Sequence, residues 1–90
     1  MYNEEQVKIQ DEFIDKMVKC LPVLRASIKI SQRELANRIG ITRQSMMAIE
    51  TKKRPLQWST YLALVLVFQQ NENSNGILQH LELFDSEMLE

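Results

Sequence analysis

A single cysteine, Cys20, occurs in the 90 residues, so no disulfide can close within the chain and nothing marks it as a disulfide-stapled secreted scaffold. Glycine and proline are present only twice each, which excludes collagen-like and loop-rich chains and leaves long stretches free to be helical. No hydrophobic run approaches the roughly 20 residues of a membrane span; the most apolar one, Trp58 to Phe68, is far shorter. The start, Met1 to Gln10, is polar and acidic and has no secretory-signal pattern. A cytoplasmic protein with no membrane partner is expected. A nucleophile elbow, a phosphate-binding glycine loop and carboxylates paired beside a histidine are all missing, so catalysis is not expected. His80 stands alone, without a cysteine or second histidine nearby, and neither a metal nor another cofactor is expected.

What is present suits one domain. The chain is 44% hydrophobic and 26% charged, ordinary proportions for a globular protein with a modest core. Below roughly 100 residues such a core gives marginal stability, and a partner subunit helps. The net charge of −1 conceals a strong asymmetry. Residues 1–24 carry three lysines and five acids. Residues 25–54 carry eight basic residues (Arg25, Lys29, Arg33, Arg38, Arg43, Lys52, Lys53 and Arg54) against Glu34 and Glu50. Residues 55–90 have five acids and no Lys or Arg. A basic centre between acidic ends is what a surface facing a polyanion requires, although a charge cluster alone is equally well a solvated face.

Apolar periodicity places the elements. Val7, Ile14, Met17, Val18, Leu21, Leu24 and Ile28 recur at helical spacing. Pro22 lacks an N–H and crowds the preceding turn, so a break or kink is expected near Cys20–Pro22, or a second helix with Pro22 in its first turn. Ser31 followed by Glu34 is a capping-box pattern that starts the next helix, with Leu35, Ala36 and Ile39 inward. Gly40 ends it. Thr42 can cap a third helix, Arg43 to about Thr51, with Met46 and Ile49 inward and Glu50 on the far side. Lys52–Lys53–Arg54–Pro55 reads as a basic loop. A fourth helix, Trp58 to Phe68, is apolar on nearly every side and is expected at the centre, with Trp58 and Tyr61 in the core. Asn71 to Gly76 reads as a polar linker, followed by a fifth helix with Ile77, Leu78, Leu81 and Phe84 apolar. Cys20 is expected as a buried thiol.

Two short helices joined by a tight glycine turn form the unit that sets a second helix into a DNA major groove. The segment SQRELANRIGITRQSMMAIETKKR (31–54) resembles the helix-turn-helix of the phage lambda repressor/Cro-like family. The agreement falls on its Gln, Ala, Gly, Thr/Ser and Glu positions together. LPVLRASIKI is similar to that family's first helix, and LQWSTYLALVLVF to the helix that follows the motif, so the likeness covers about residues 21–70. Met46 replaces the usual β-branched residue, a tolerable volume change. Lys53 stands where the family often has glycine, so a differently shaped loop is expected there.

The resemblance implies an all-α, compact five-helix lambda-repressor-like domain with the helix-turn-helix at helices two and three of the core. It also implies the domain limits: an N-terminal helical extension over 1–20, the DNA-binding domain over 21–84 and an acidic tail over 85–90. It further implies that Gln32 touches a phosphate and that Thr42, Arg43, Gln44, Ala48 and Thr51 face the groove. Side-chain chemistry agrees: Arg pairs with guanine O6 and N7, Gln with adenine, and Ala meets a thymine methyl. Ser45 either donates to a phosphate or caps its own helix. Met47 either faces the groove or packs on a neighbour. Lys52, Lys53 and Arg54 grip backbone phosphate, with Arg25 or Lys29 beside them. The implied partners are double-stranded DNA and a second copy of the chain, giving a homodimer; the candidate dimer surface is helix Trp58–Phe68, apolar on most sides, with the stripe of Ile77, Leu78, Leu81 and Phe84 beside it, unless that stripe only closes the domain's own core. The competing expectation is a protein-interaction module of the same fold, an adaptor or an antitoxin bound to a toxin.

Overall fold

Proline at position 22 cannot supply the N–H that would close a turn onto the Val18 carbonyl, yet the helix around it is unbroken. The computed structural model describes residues 4–80, and in it α1 runs from Glu4 to Ser27 with Pro22 inside. The break expected near Cys20–Pro22 is therefore absent. Burial explains why: Met17, Val18, Leu21 and Leu24 are all buried on one side of α1, while Pro22 is exposed. A helix-interior proline costs about 3 kcal/mol. Burying four large apolar side chains contributes about 1.5–3 kcal/mol each, so packing wins. Met17 and Val18 share one core with Leu21 and Leu24, so α1 bridges the expected limit between residues 20 and 21. At about 1.5 Å per residue its 24 residues reach about 36 Å, the longest dimension of the described molecule (36 × 28 × 19 Å).

Three helix ends close in the same way. After α1, the Ile30 N–H bonds to the Arg25 carbonyl (3.1 Å) and the Lys29 N–H to that of Ala26 (3.2 Å), with Lys29 left-handed at φ 56°. This pair of bonds is a Schellman motif, and Ile30, its last residue, is buried against the core. Then α2 (Gln32–Ile39) starts at Ser31, whose hydroxyl accepts from the Glu34 N–H (3.0 Å). The Glu34 carboxylate meets that same hydroxyl at 3.5 Å. Gly40, at φ 77°, closes α2 with the matching bonds, Ile41 N–H to Ala36 O and Gly40 N–H to Asn37 O.

Two residues later Thr42 caps α3 (Arg43–Glu50), its hydroxyl accepting from the Ser45 N–H (3.0 Å). The third closure follows α3: Lys53 N–H to Ala48 O (2.8 Å) and Lys52 N–H to Ile49 O (3.1 Å). Here Lys52 is the left-handed residue, at φ 63°. The position that asks for glycine is therefore Lys52, and the expectation that placed it at Lys53 is corrected.

After Pro55, α4 (Trp58–Gln69) begins. It buries Tyr61, Leu64, Val65 and Phe68 against α1, α2 and α5. Trp58 is half-buried and stacks on Tyr61 (centroids 4.7 Å apart, planes 9° apart), and Phe13 of α1 tilts against the same ring. Burial pushes the Tyr61 phenol pKa well up from its ordinary value. Cys20 is half-buried beside this core.

The polar linker expected over Asn71–Gly76 is instead helical, because α5 spans Glu72–His80. Asn71 supplies the start, its side-chain oxygen accepting from the Asn73 N–H (2.9 Å). Ser74 is wholly buried, and its hydroxyl donates to the Phe68 carbonyl near the end of α4. Two polar residues that read as linker composition are thus a cap and an interhelical bond. Leu78 is fully buried in the core and Ile77 is packed against it. The expected apolar positions Leu81 and Phe84 and the expected acidic tail, 85–90, lie outside the described residues. All described elements are helices, five in number.

The two glycines have opposite expected responses to alanine. Gly76 sits inside α5 with nothing within 4 Å of an added Cβ, so Gly76→Ala should stabilise by about 1 kcal/mol. A thermal melt should rise by about 4–8 °C. Gly40 has equal space but a left-handed backbone, so Gly40→Ala should cost about 1 kcal/mol. Melts of both variants check the pair; a lowered midpoint for Gly76→Ala would contradict the helical placement of that residue.

Candidate nucleic-acid interface

The face of α3 is set by which residues it buries. Met46 and Ile49 point into the core, and Ser45, Ala48 and Glu50 are half-buried. That leaves Arg43, Gln44 and Met47 exposed along one side, continued by exposed Thr51 one turn on. Thr42 is exposed at one end, and Lys52, Lys53 and Arg54 at the other. Gln32 is half-buried at the start of α2. It lines an open cleft of about 700 Å³ with Arg25, Ser31, Arg33 and Arg43. The cleft thus gathers the Arg33 and Arg43 guanidinium groups and the first turn of α2, surroundings that favour anions.

The hydroxyls on this face are tied down. Ser45 Oγ accepts from Thr42 Oγ1 (2.9 Å) and from an Arg54 guanidinium N–H. Thr42 caps α3, and Ser45 links that cap to Arg54. Arg54 is thereby held beside the first turn of α3. Thr51 Oγ1 donates to the Met47 carbonyl (2.9 Å) within its own last turn.

Arg25 does something else. Its Nε and Nη2 each donate to one Glu50 carboxylate oxygen, both at 3.0 Å, forming a two-pronged ion pair between the ends of α1 and α3. The side chains are only 19% and 7% exposed. Glu50, expected on the far side of α3, is the inward partner of this pair. Arg25, expected as a possible phosphate contact, spends its fork on a carboxylate. Sequence reasoning missed the pair because its members lie 25 positions apart; each matched the family resemblance, and nothing local coupled them. With the pair set aside, the centre of the chain still holds exposed Lys29, Arg33, Arg38, Arg43, Lys52, Lys53 and Arg54 against exposed Glu34.

Acids come close at one edge. Asp11 and Asp15 of α1 line a cleft of about 300 Å³ with Lys52, Arg54 and Pro55. Asp15 is exposed and bonded to Lys19 at 2.9 Å. That hydrogen bond, opposed by some desolvation and aided by the charges of Lys19 and Lys52, holds its carboxyl below the ordinary value. It stays ionised at neutral pH and tempers the basic loop beside it.

Among the described residues no group of three His, Cys, Asp or Glu is placed to hold a metal ion, and no helix is long and apolar enough to cross a membrane. Comparison with family models, with curated proteins and with solved structures finds no match for this chain.

The ion pair has a measurable signature. Arg25→Ala leaves the Glu50 carboxylate mostly enclosed and unpaired, and should cost about 2–4 kcal/mol, somewhat less than a fully buried pair would. Replacing both residues, Arg25→Met with Glu50→Leu, should recover most of that loss. Urea midpoints of the single and double variants check it; a double variant no more stable than Arg25→Ala would rule out the uncompensated-charge explanation.

Proposed function

We propose that the protein is a sequence-specific double-stranded DNA-binding regulator of the lambda repressor/Cro-like type, a repressor that binds a palindromic operator as a dimer. One observation carries the reading. The exposed side of α3 presents Arg43 and Gln44 between a cation-lined cleft at the start of α2 and the Lys52–Arg54 loop after α3. A helix is about 10–12 Å across with its side chains, which fits the major groove, about 12 Å wide, and the eight residues of α3 lie along it. In this arrangement α2 and α3 act as the helix-turn-helix and α3 as its recognition helix.

The roles follow from the chemistry. Arg43 offers two parallel donors to guanine O6 and N7, and Gln44 a donor and an acceptor to adenine. Ala48, half-buried at the edge of the face, brings a methyl to a thymine methyl, and Thr42 and Thr51 border the groove. Gln32, Arg33, Lys52, Lys53 and Arg54 meet phosphate on either side and fix the register. Ser45 works through Arg54, which it positions, and has its own proton left for a phosphate oxygen. Repression then needs only occupancy of the operator.

The dimer rests on site length. One recognition helix reads a few base pairs, and two copies about 34 Å apart read two half-sites. Leu78 is fully buried in the core and Ile77 is packed against it, so the C-terminal stripe is partly used within one subunit. Among the described residues of that half, Leu66 of α4, 57% exposed, is the large apolar side chain left facing outward. A two-fold contact using it on both subunits satisfies closed symmetry.

Arg43→Ala and Gln44→Ala should each lose about 1–3 kcal/mol on a site selected from random duplexes and almost nothing on scrambled DNA. Equal losses on both would move these residues to phosphate contact. Lys52→Ala or Lys53→Ala should weaken all sequences alike and flatten log affinity against log salt by about 0.9. For the dimer, Leu66→Glu should yield a folded monomer by sedimentation with much weaker binding to the selected site. A wild type that sediments as a monomer at about 50 μM, well above the specific affinities typical of such proteins, would remove the dimer.

A further inference from the structure

We propose that Met47 is a base-reading residue that selects thymine through its C5 methyl group. The inference rests on the DNA-binding reading above and deepens it. Met47 is 41% exposed, and it belongs neither to the core nor to the hydrophobic residues packed against it. The other exposed large hydrophobics among the described residues, Val7, Ile9, Val23 and Leu66, lie on α1 and α4, so Met47 is the one on the α2–α3 unit.

Its surroundings are specific. One helical turn before it stand Arg43 and Gln44, and one turn after it Thr51, all three exposed. Met47 therefore occupies the middle of the presented face, with the side chains assigned to purines on one side and Thr51 on the other. Its neighbours at helical spacing there are polar, and it is no part of the core cluster. Thr51 reinforces the apolar character, because its hydroxyl proton is turned back onto the Met47 carbonyl.

The major groove offers one apolar group to such a residue. Guanine, cytosine and adenine present only donors and acceptors on that edge, whereas thymine adds a methyl beside its O4 acceptor. Methionine is unbranched and polarisable, with three rotatable bonds, so it can settle on a methyl without fixed geometry. Arg43 and Gln44 on one side and Met47 in the centre would then read a mixed purine–thymine step. Ala48, with a single carbon, reaches less far and sits half-buried at the edge of the face.

Deoxyuridine keeps O4 and loses only the methyl, which isolates the contact. On a duplex selected by the full-length wild type, thymine is replaced by deoxyuridine one position at a time and affinity is measured for wild type, Met47→Ala and Met47→Leu. The wild type should weaken about fourfold at one or two thymines per half-site, the transfer free energy of one methyl group. Met47→Ala should bind the thymine and deoxyuridine duplexes equally at those positions, with an unchanged thermal melt. Met47→Leu should keep the sensitivity. If Met47→Ala retains the wild-type thymine-to-deoxyuridine ratio at every position, Met47 does not read thymine, although the DNA-binding reading survives. A wild type that binds selected and scrambled duplexes equally overturns that reading and this inference with it.

Discussion

The guanidinium of Arg25 and the carboxylate of Glu50 join the end of α1 to the end of α3, and the direction in which α3 presents its outer face depends on that junction. The fork geometry allows one alignment, two parallel bonds at 3.0 Å, and so fixes helix rotation as well as distance. Apolar packing of Met46 and Ile49 says which side of α3 is inward but tolerates sliding. An ion pair of this kind is weak support for stability, because desolvation offsets much of the attraction. Its contribution is registry. Once it is made, Arg43 and Gln44 stand at one end of a defined face and the Lys52 turn at the other.

The same pair also sorts the charges. It removes one cation and one anion from the surface of the basic segment, leaving its exposed charge almost entirely positive. The acids of α1 and the lack of any Lys or Arg after residue 54 then give the molecule one positive side. Net charge near zero is compatible with a strong local field, since a polyanion responds to the nearest charges within about 10 Å at ordinary salt. Asp11 and Asp15 show that the boundary is drawn close, with carboxylates lining the same cleft as Lys52 and Arg54.

The elements legible from sequence were those whose causes are local. Ser31 with Glu34, Gly40 and Thr42 state their own geometry within four residues, and the limits of α2 and α3 follow from them. Met46, Ile49, Leu35 and Ala36 were legible because inward positions recur with the helix period. Pro22 misled because a local penalty was weighed without the four buried side chains that outweigh it. Asn71–Gly76 misled because Asn71 and Ser74 make bonds that depend on where α4 ends, and composition alone cannot carry that. The family's glycine position after α3 was placed one residue late, at Lys53, whereas the left-handed residue is Lys52. For the site, the outward face of Arg43, Gln44 and Thr51, all three exposed, followed from the family resemblance. The Arg25–Glu50 pair and the Thr42–Ser45–Arg54 chain did not, being products of tertiary proximity.

The two lysines that close α1 and α3 bear on how the molecule responds to its ionic surroundings. A left-handed lysine is about 1–2 kcal/mol worse than glycine sterically, but its position just past a helix end lets the side chain reach the negative end of the dipole, where a cation gains about 0.3–1 kcal/mol. The gain is electrostatic and fades as salt rises, whereas the steric cost is constant. The two turns are thus firmest in dilute electrolyte. Phosphate approaching Lys52 would compete for the same ammonium that steadies its turn, so the end of α3 and a bound anion are coupled through one side chain.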